Sequence, residues 1–188
     1  MIEVFNDFSG WLISQGVNED IAHYVRLSIL LGVLTALLFI VEFIARKIVV
    51  GGVKRIFTLT TNKWDDVLVE KKVFNRLAHL FPAMVVYWLA PFVFIDFQFL
   101  TPIIHKLVDV YVVGVILLVF ISFFNALEYY FSNSKKFKDK PIESYFQLAK
   151  LIAYFIAGIF ILSVALGKSP IYLLSAFGAM TAIIMLIF

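Results

Sequence analysis

Cysteine is absent from this 188-residue chain. That excludes a disulfide framework, a thiolate zinc site and a cysteine nucleophile, and it leaves the compartment unreadable from thiol usage. Charge is scarce too: Asp, Glu, Lys and Arg make up 15% of the residues. The three histidines, His23, His79 and His105, stand in separate segments. No HExxH, P-loop or GxSxG pattern and no paired histidines occur, so no enzyme, metal or cofactor is expected. The net charge of +3 is too small to suggest a nucleic-acid partner. No internal repeat supports an inverted-repeat transporter. Residues 1–20 contain no Lys or Arg. A basic stretch before an apolar core is therefore missing, and a cleavable signal peptide is not expected.

What fills the chain instead is apolar surface, at 62% of residues with 21 Phe. Soluble domains are about 45–50% apolar, so the lipid bilayer is the expected solvent. A spanning helix needs roughly 20 mostly apolar residues. Five stretches meet that length: Tyr24 to Val50, Leu77 to Ile95, Leu107 to Phe131, Tyr145 to Leu166, and Pro170 onward. Pro82 and Pro91 are expected to kink the second, because each removes a backbone donor. The fold class is thus an all-α membrane protein with five transmembrane helices.

Lys and Arg set the expected orientation. Arg46, Lys47, Lys54, Arg55, Lys63, Lys71, Lys72 and Arg76 follow the first span, and Lys135, Lys136, Lys138, Lys140 and Lys150 follow the third. Only Lys106 separates the second from the third, and only Lys168 the fourth from the fifth. The counts place the N-terminus outside and the C-terminus in the cytoplasm.

Residues 1–20 read as an interfacial segment. Ile2, Phe5, Phe8, Trp11 and Leu12 fall at helical spacing, which fits an amphipathic helix or a frayed end. Residues 21–166 form a four-helix region. It contains a polar elbow near 51–76, in which Asn62 or Thr61 can cap a short helix, and a basic loop at 132–144. Residues 167–188 form the last helix. Arg46, Lys47, Lys54 and Arg55 are candidate contacts for lipid headgroups, and ordinary topology signals explain them equally well. Glu42 and Arg46, four apart, can pair along the first helix. Gly51 and Gly52 are candidate bending points, as are the two prolines.

From Ser169 onward the last helix carries no Asp, Glu, His, Lys or Arg. On a helical wheel Ser175, Gly178, Ala179, Thr181 and Ala182 gather on one side with Leu186, and Phe177, Met180, Ile183, Ile184, Ile187 and Phe188 on the other. Small residues let helix backbones approach closely in lipid, and Gly178 with Ala182 makes a G-x-x-x-A pair. Two arrangements remain open. The small side packs inside one subunit, or copies of the helix form a ring with Ser175, Ala179, Ala182 and Leu186 toward a lumen. In the ring, Leu186 would make a dewetting constriction.

The stretch "TNKWDDVLVEKKVFNRLAHLFPAMVVYWLAPFVF" and the later "LGKSPIYLLSAFGAMTAIIMLIF" resemble the small-conductance mechanosensitive channel family (MscS-like), in particular its five-span miniconductance branch. The Trp64-Asp65-Asp66 motif and "SAFGAM" carry the resemblance most specifically, over about residues 61–188. It implies a homo-heptamer in a bacterial inner membrane, with the last helix lining the pore. It implies opening under tension, passage of ions and small solutes, and protection against osmotic downshift. It places Gly178, Thr181 and Met185 at helix-packing positions, and Ala182 and Leu186 at two gate positions. Ala182 stands where well-known members have a large apolar residue, and Met185 where they have a small one, so Leu186 is the expected narrow ring. The resemblance also implies that the chain is the membrane half of a longer protein whose cytoplasmic part is absent. Outside it, the alternatives are a transporter fragment or a membrane anchor.

Overall fold

A computed structural model describes residues 13–16, 18–57, 63–133, 137 and 141–188. The amphipathic reading of residues 2–15 falls almost entirely outside these, as do the Thr61 and Asn62 caps and most of the basic loop. Every regular element among the described residues is helical: α1 (Glu19–Phe57), α2 (Lys63–Glu70), α3 (Val73–Ala78), α4 (Leu80–Val93), a 3₁₀ turn at Ile95–Phe97, α5 (Leu100–Ser132), α6 (Ile142–Leu166) and α7 (Pro170–Ile187). Among the described residues, five segments are long and apolar enough to cross a membrane: Ile21–Val53, Val73–Val93, Leu100–Ser132, Ile142–Leu166 and Pro170–Ile187.

The helices run longer than apolar runs alone suggest. α1 holds 39 residues and passes through Gly51 and Gly52 without interruption. α5 begins at Leu100 rather than Leu107. Pro102 permits this, because first-turn N–H groups have no partner inside the helix to lose. The second span is broken instead of simply kinked, with α3 and α4 meeting at His79. Lys72 enters α3 with φ of 60°, a left-handed conformation that is uncommon outside glycine.

Pro82 sits in the first turn of α4, where a missing donor costs nothing. Pro91 lies inside α4 and cannot donate to the carbonyl of Tyr87, four residues earlier. His105 of α5 takes over that role. Its Nε2 lies 3.1 Å from the Tyr87 oxygen, and its ring stacks on the Tyr87 ring at 4.2 Å between centroids. A carbonyl only accepts, so the Nε2–H tautomer is the one this contact requires. A freed carbonyl within an apolar helix has no water to turn to. His105→Ala is therefore expected to destabilise the α4–α5 hairpin by about 1–3 kcal/mol, as read by unfolding in mixed detergent. Adding Pro91→Ala should recover much of the loss by restoring the N–H. A double variant as weak as His105→Ala alone would reduce the ring to packing.

Close approach of helices depends on small side chains. The buried residues include Ala78, Ala83, Ala90, Ala126 and Ala157. Leu34 of α1 packs with Ala90, Val93 and Phe94 in one buried cluster, flanked by Leu100 and Ile104 of α5. α2 lies along the far half of α5: Trp64 meets Tyr130 and Phe123 edge-on, and the Lys71 ammonium sits 4.3 Å from the Tyr129 ring. α6 pairs with the same half of α5 through Lys150 and Glu128, 2.5 Å apart, and through Phe146 against Phe124 and Phe131.

Candidate functional site

α7 is positioned by a short, strongly specified turn. Gly167 ends α6 with φ of 62°, the left-handed C-cap that glycine adopts without a Cβ penalty. The Ser163 hydroxyl donates to the Lys168 carbonyl inside the turn. The Ser169 hydroxyl accepts from the Tyr172 N–H at 3.2 Å, and Pro170 follows as the first helical residue. Serine cap plus proline is a preferred way to start a helix. The chain thus reverses between α6 and α7 within three residues.

The contact between the two helices uses the bulky side of α7. Phe177 meets Phe155 of α6 edge-on at 6.2 Å. The partly covered α7 residues are Pro170 and Leu173, and both lie on Phe177's side of the helix. Ser175, Ala179, Ala182 and Leu186 lie within about 40° of the direction opposite Phe177, taking about 100° per residue. All four are exposed, Leu186 at 89%. A Cβ added to Gly178 would meet nothing within 4 Å. Within the described residues, then, the small stripe packs against no other span of its own chain.

The three positions at which the family resemblance implies helix packing separate. Gly178 and Met185 lie on one flank of α7, between the free stripe and the side turned to α6. Thr181 lies nearer α6, although the wheel grouped it with the small side. Its hydroxyl donates to the Phe177 carbonyl at 2.8 Å, and that of Ser175 donates to the Ile171 carbonyl at 2.9 Å. Both hydroxyl donors are thereby spent on the helix itself, which suits an apolar neighbour as well as a wet one.

Of the candidate headgroup contacts, the side chains of Arg46 and Lys47 are described. Arg46 pairs with Glu42 at 2.5 Å, the i,i+4 pair expected, and His79 adds a second neighbour to Glu42 at 3.4 Å. Lys47 is exposed on α1. The side chains of Lys54 and Arg55 lie outside the described set. Among the described residues, no group of three or more His, Asp or Glu side chains is placed to hold a metal ion.

Sequence reasoning missed the polar contacts that bind distant segments. The Arg26 guanidinium, 5% exposed, lies 3.5 Å from Asp96, and His23 lies 3.4 Å from the same carboxylate. Arg76 donates to the Leu118 carbonyl, midway along α5, at 2.6 Å. Isolated charges bordering apolar runs were the available signal, but their partners stand 70 and 42 residues away.

No known protein family matches the chain, and no solved structure matches it.

Proposed function

We propose that the chain is the membrane part of a tension-gated channel of the MscS-like family. Copies assemble as a homo-heptamer with α7 around the axis, in a bacterial inner membrane. Ions and small solutes leave through the opened pore during osmotic downshift. The N-terminus lies outside and the C-terminus in the cytoplasm, as the Lys and Arg distribution favours.

One observation carries this reading. The small stripe of α7 points directly away from α6, the helix on which α7 leans, and none of the described residues covers it. An uncharged helix with a bare small-residue stripe suits close approach to copies of itself. Leu186 stands on the centre line of that stripe, where identical copies would form an apolar ring. Such a ring stops ions by excluding water and needs no charge. The first four spans, α1 to α6, would form the lipid-facing sensor, and the Gly167–Pro170 turn would pass their movement to α7. A ligand-free stimulus works only if the two states differ in membrane area, so the outer helices must change tilt or packing on opening.

The test is pressure-clamp recording from patches holding the purified, reconstituted protein. Stepwise currents that rise with suction are expected, with a seven-fold ring in class averages of the same sample. A monomer that stays silent at lytic tension would remove the channel and leave an anchor.

A further inference from the structure

The five spans do not share one level along the bundle. α1 and α5 run parallel, and the contacts that tie α1 to the segment from α4 to the start of α5 set their register. Arg26 meets Asp96, just ahead of α5. Leu34 lies in the cluster flanked by Ile104. Thr35, Glu42, Ile104 and Tyr111 line one groove of about 550 Å³ together with Pro82 and Ala83 of α4. Each α1 residue thus stands level with the α5 residue about 70 positions later, the separation of the Arg26–Asp96 pair.

The uncharged runs on these helices occupy different heights. On α1 the run lies between Arg26 and the Glu42–Arg46 pair, and on α4 between His79 and Asp96. The same contacts pin both runs to one level, since Asp96 meets Arg26 and His79 meets Glu42. On α5 the uncharged run lies between Asp109 and Glu128. Glu128 meets Lys150, which opens the uncharged run of α6, and Phe155 hands that level on to Phe177 of α7. The first belt centres near residue 35 of α1. The second centres near Leu118 of α5, which is level with Ile48 of α1. The offset is about 13 residues, or about 20 Å at 1.5 Å per residue. Arg76 shows the mismatch within a single contact: a guanidinium at the charged end of the first belt touches the Leu118 carbonyl at the middle of the second. α5, with 33 residues, is about 50 Å long and traverses both belts, whereas a hydrocarbon core is about 30 Å thick.

We infer that this protomer binds a bilayer steeply inclined to its helices, with lipid at α1 and α4 seated about 20 Å higher along the bundle axis than lipid at α6 and α7. Packed helices stand about 10 Å apart, so the two belts are separated laterally by about two helix spacings. A flat bilayer would meet both belts only if the bundle leaned about 45°, beyond the usual 0–40° range of tilts. The remaining slope falls to the lipid, which bends around the protomer. The lipid-facing surface therefore fits a curved or sloping membrane better than a flat one. Nothing in this geometry depends on α7 lining a pore.

The absence of native cysteine makes single-cysteine labelling a clean test. Two pairs of exposed residues stand at equal heights on different helices: Leu37 with Lys106, and Ile48 with Leu118. The protein is reconstituted in vesicles and treated on both faces with a membrane-impermeant maleimide, so orientation does not enter. Lys106→Cys and Ile48→Cys are expected to react at least ten-fold faster than Leu37→Cys and Leu118→Cys. Equal rates within either pair would overturn the inference, because residues at one height would then share one solvent. Phe39 and Asp109 form a third exposed pair that replaces the first if either of its variants fails to insert. The expectation there is fast labelling of Asp109→Cys and slow labelling of Phe39→Cys, and equal rates would again overturn it.

Discussion

Leu186→Ser is expected to lower the tension needed for opening to about half or less, measured by pressure clamp against the patch's lytic limit. Burying a leucine side chain is worth about 1.5–3 kcal/mol, and a ring of identical helices loses that amount once per copy. The closed state would lose several times more than a single contact supplies. Serine also brings a hydroxyl that recruits water to the constriction, so spontaneous openings at rest should increase. The residue is well suited to the test because it is 89% exposed in the protomer. Its replacement removes almost no contact within one chain, and folding of the monomer should be untouched. An unchanged threshold would take Leu186 out of the gate. Ala182→Leu gives the converse result, since a second bulky ring one turn away should raise the threshold.

Gly178→Leu is expected to reduce the yield of assembled rings at least ten-fold in native mass measurement, while monomer insertion stays normal. Overpacking a close helix interface costs about 1–3 kcal/mol, and every interface in a ring incurs it. The discrimination rests on local space. A Cβ at Gly178 meets nothing within 4 Å among the described residues, so a clash of the added bulk is expected from another copy. Gly158 on α6 supplies a control, because a Cβ there also meets no neighbour within 4 Å. Gly158→Leu should leave assembly intact if α6 lies outside the ring contact. Normal assembly of Gly178→Leu would show that the flank of α7 carrying Gly178 is not where copies meet.

Helices were the most legible part of the chain. Apolar runs of spanning length are hard to hide, and each of the five reappears as a helical segment of spanning length, the second broken at His79. Their ends were less legible, for specific reasons. Charged residues do not end a helix, so α1 runs on past Arg46 and Lys47 to Phe57. Pro102 reads as a breaker but is tolerated in a first turn, so α5 begins before it. That early start also moves Asp109. A span beginning at Leu107 puts it at a helix end, and the structure places it well inside α5. Axial register between helices is a tertiary property, set by contacts such as Arg26 with Asp96. Hydrophobic periodicity contains no trace of it, because lipid-facing and helix-facing side chains are equally apolar.

On α7 the wheel separated small from bulky residues correctly in outline, yet could not choose which side met α6. That choice came from Phe155 and Phe177. Two aromatic residues among 21 Phe are not distinguishable in advance. Thr181 shows the limit of grouping by size: it is small, but its angle turns it toward the α6 side.

The Pro91 gap in α4 has a mechanical corollary. The Tyr87 carbonyl is met by the His105 ring of the neighbouring helix, so α4 and α5 are keyed at one height like teeth in a ratchet. Slipping by even a single turn, about 5.4 Å, would strand that oxygen in hydrocarbon. The hairpin should consequently swing as a rigid strut, with its sliding motion locked out and any give displaced to the ends of the two helices.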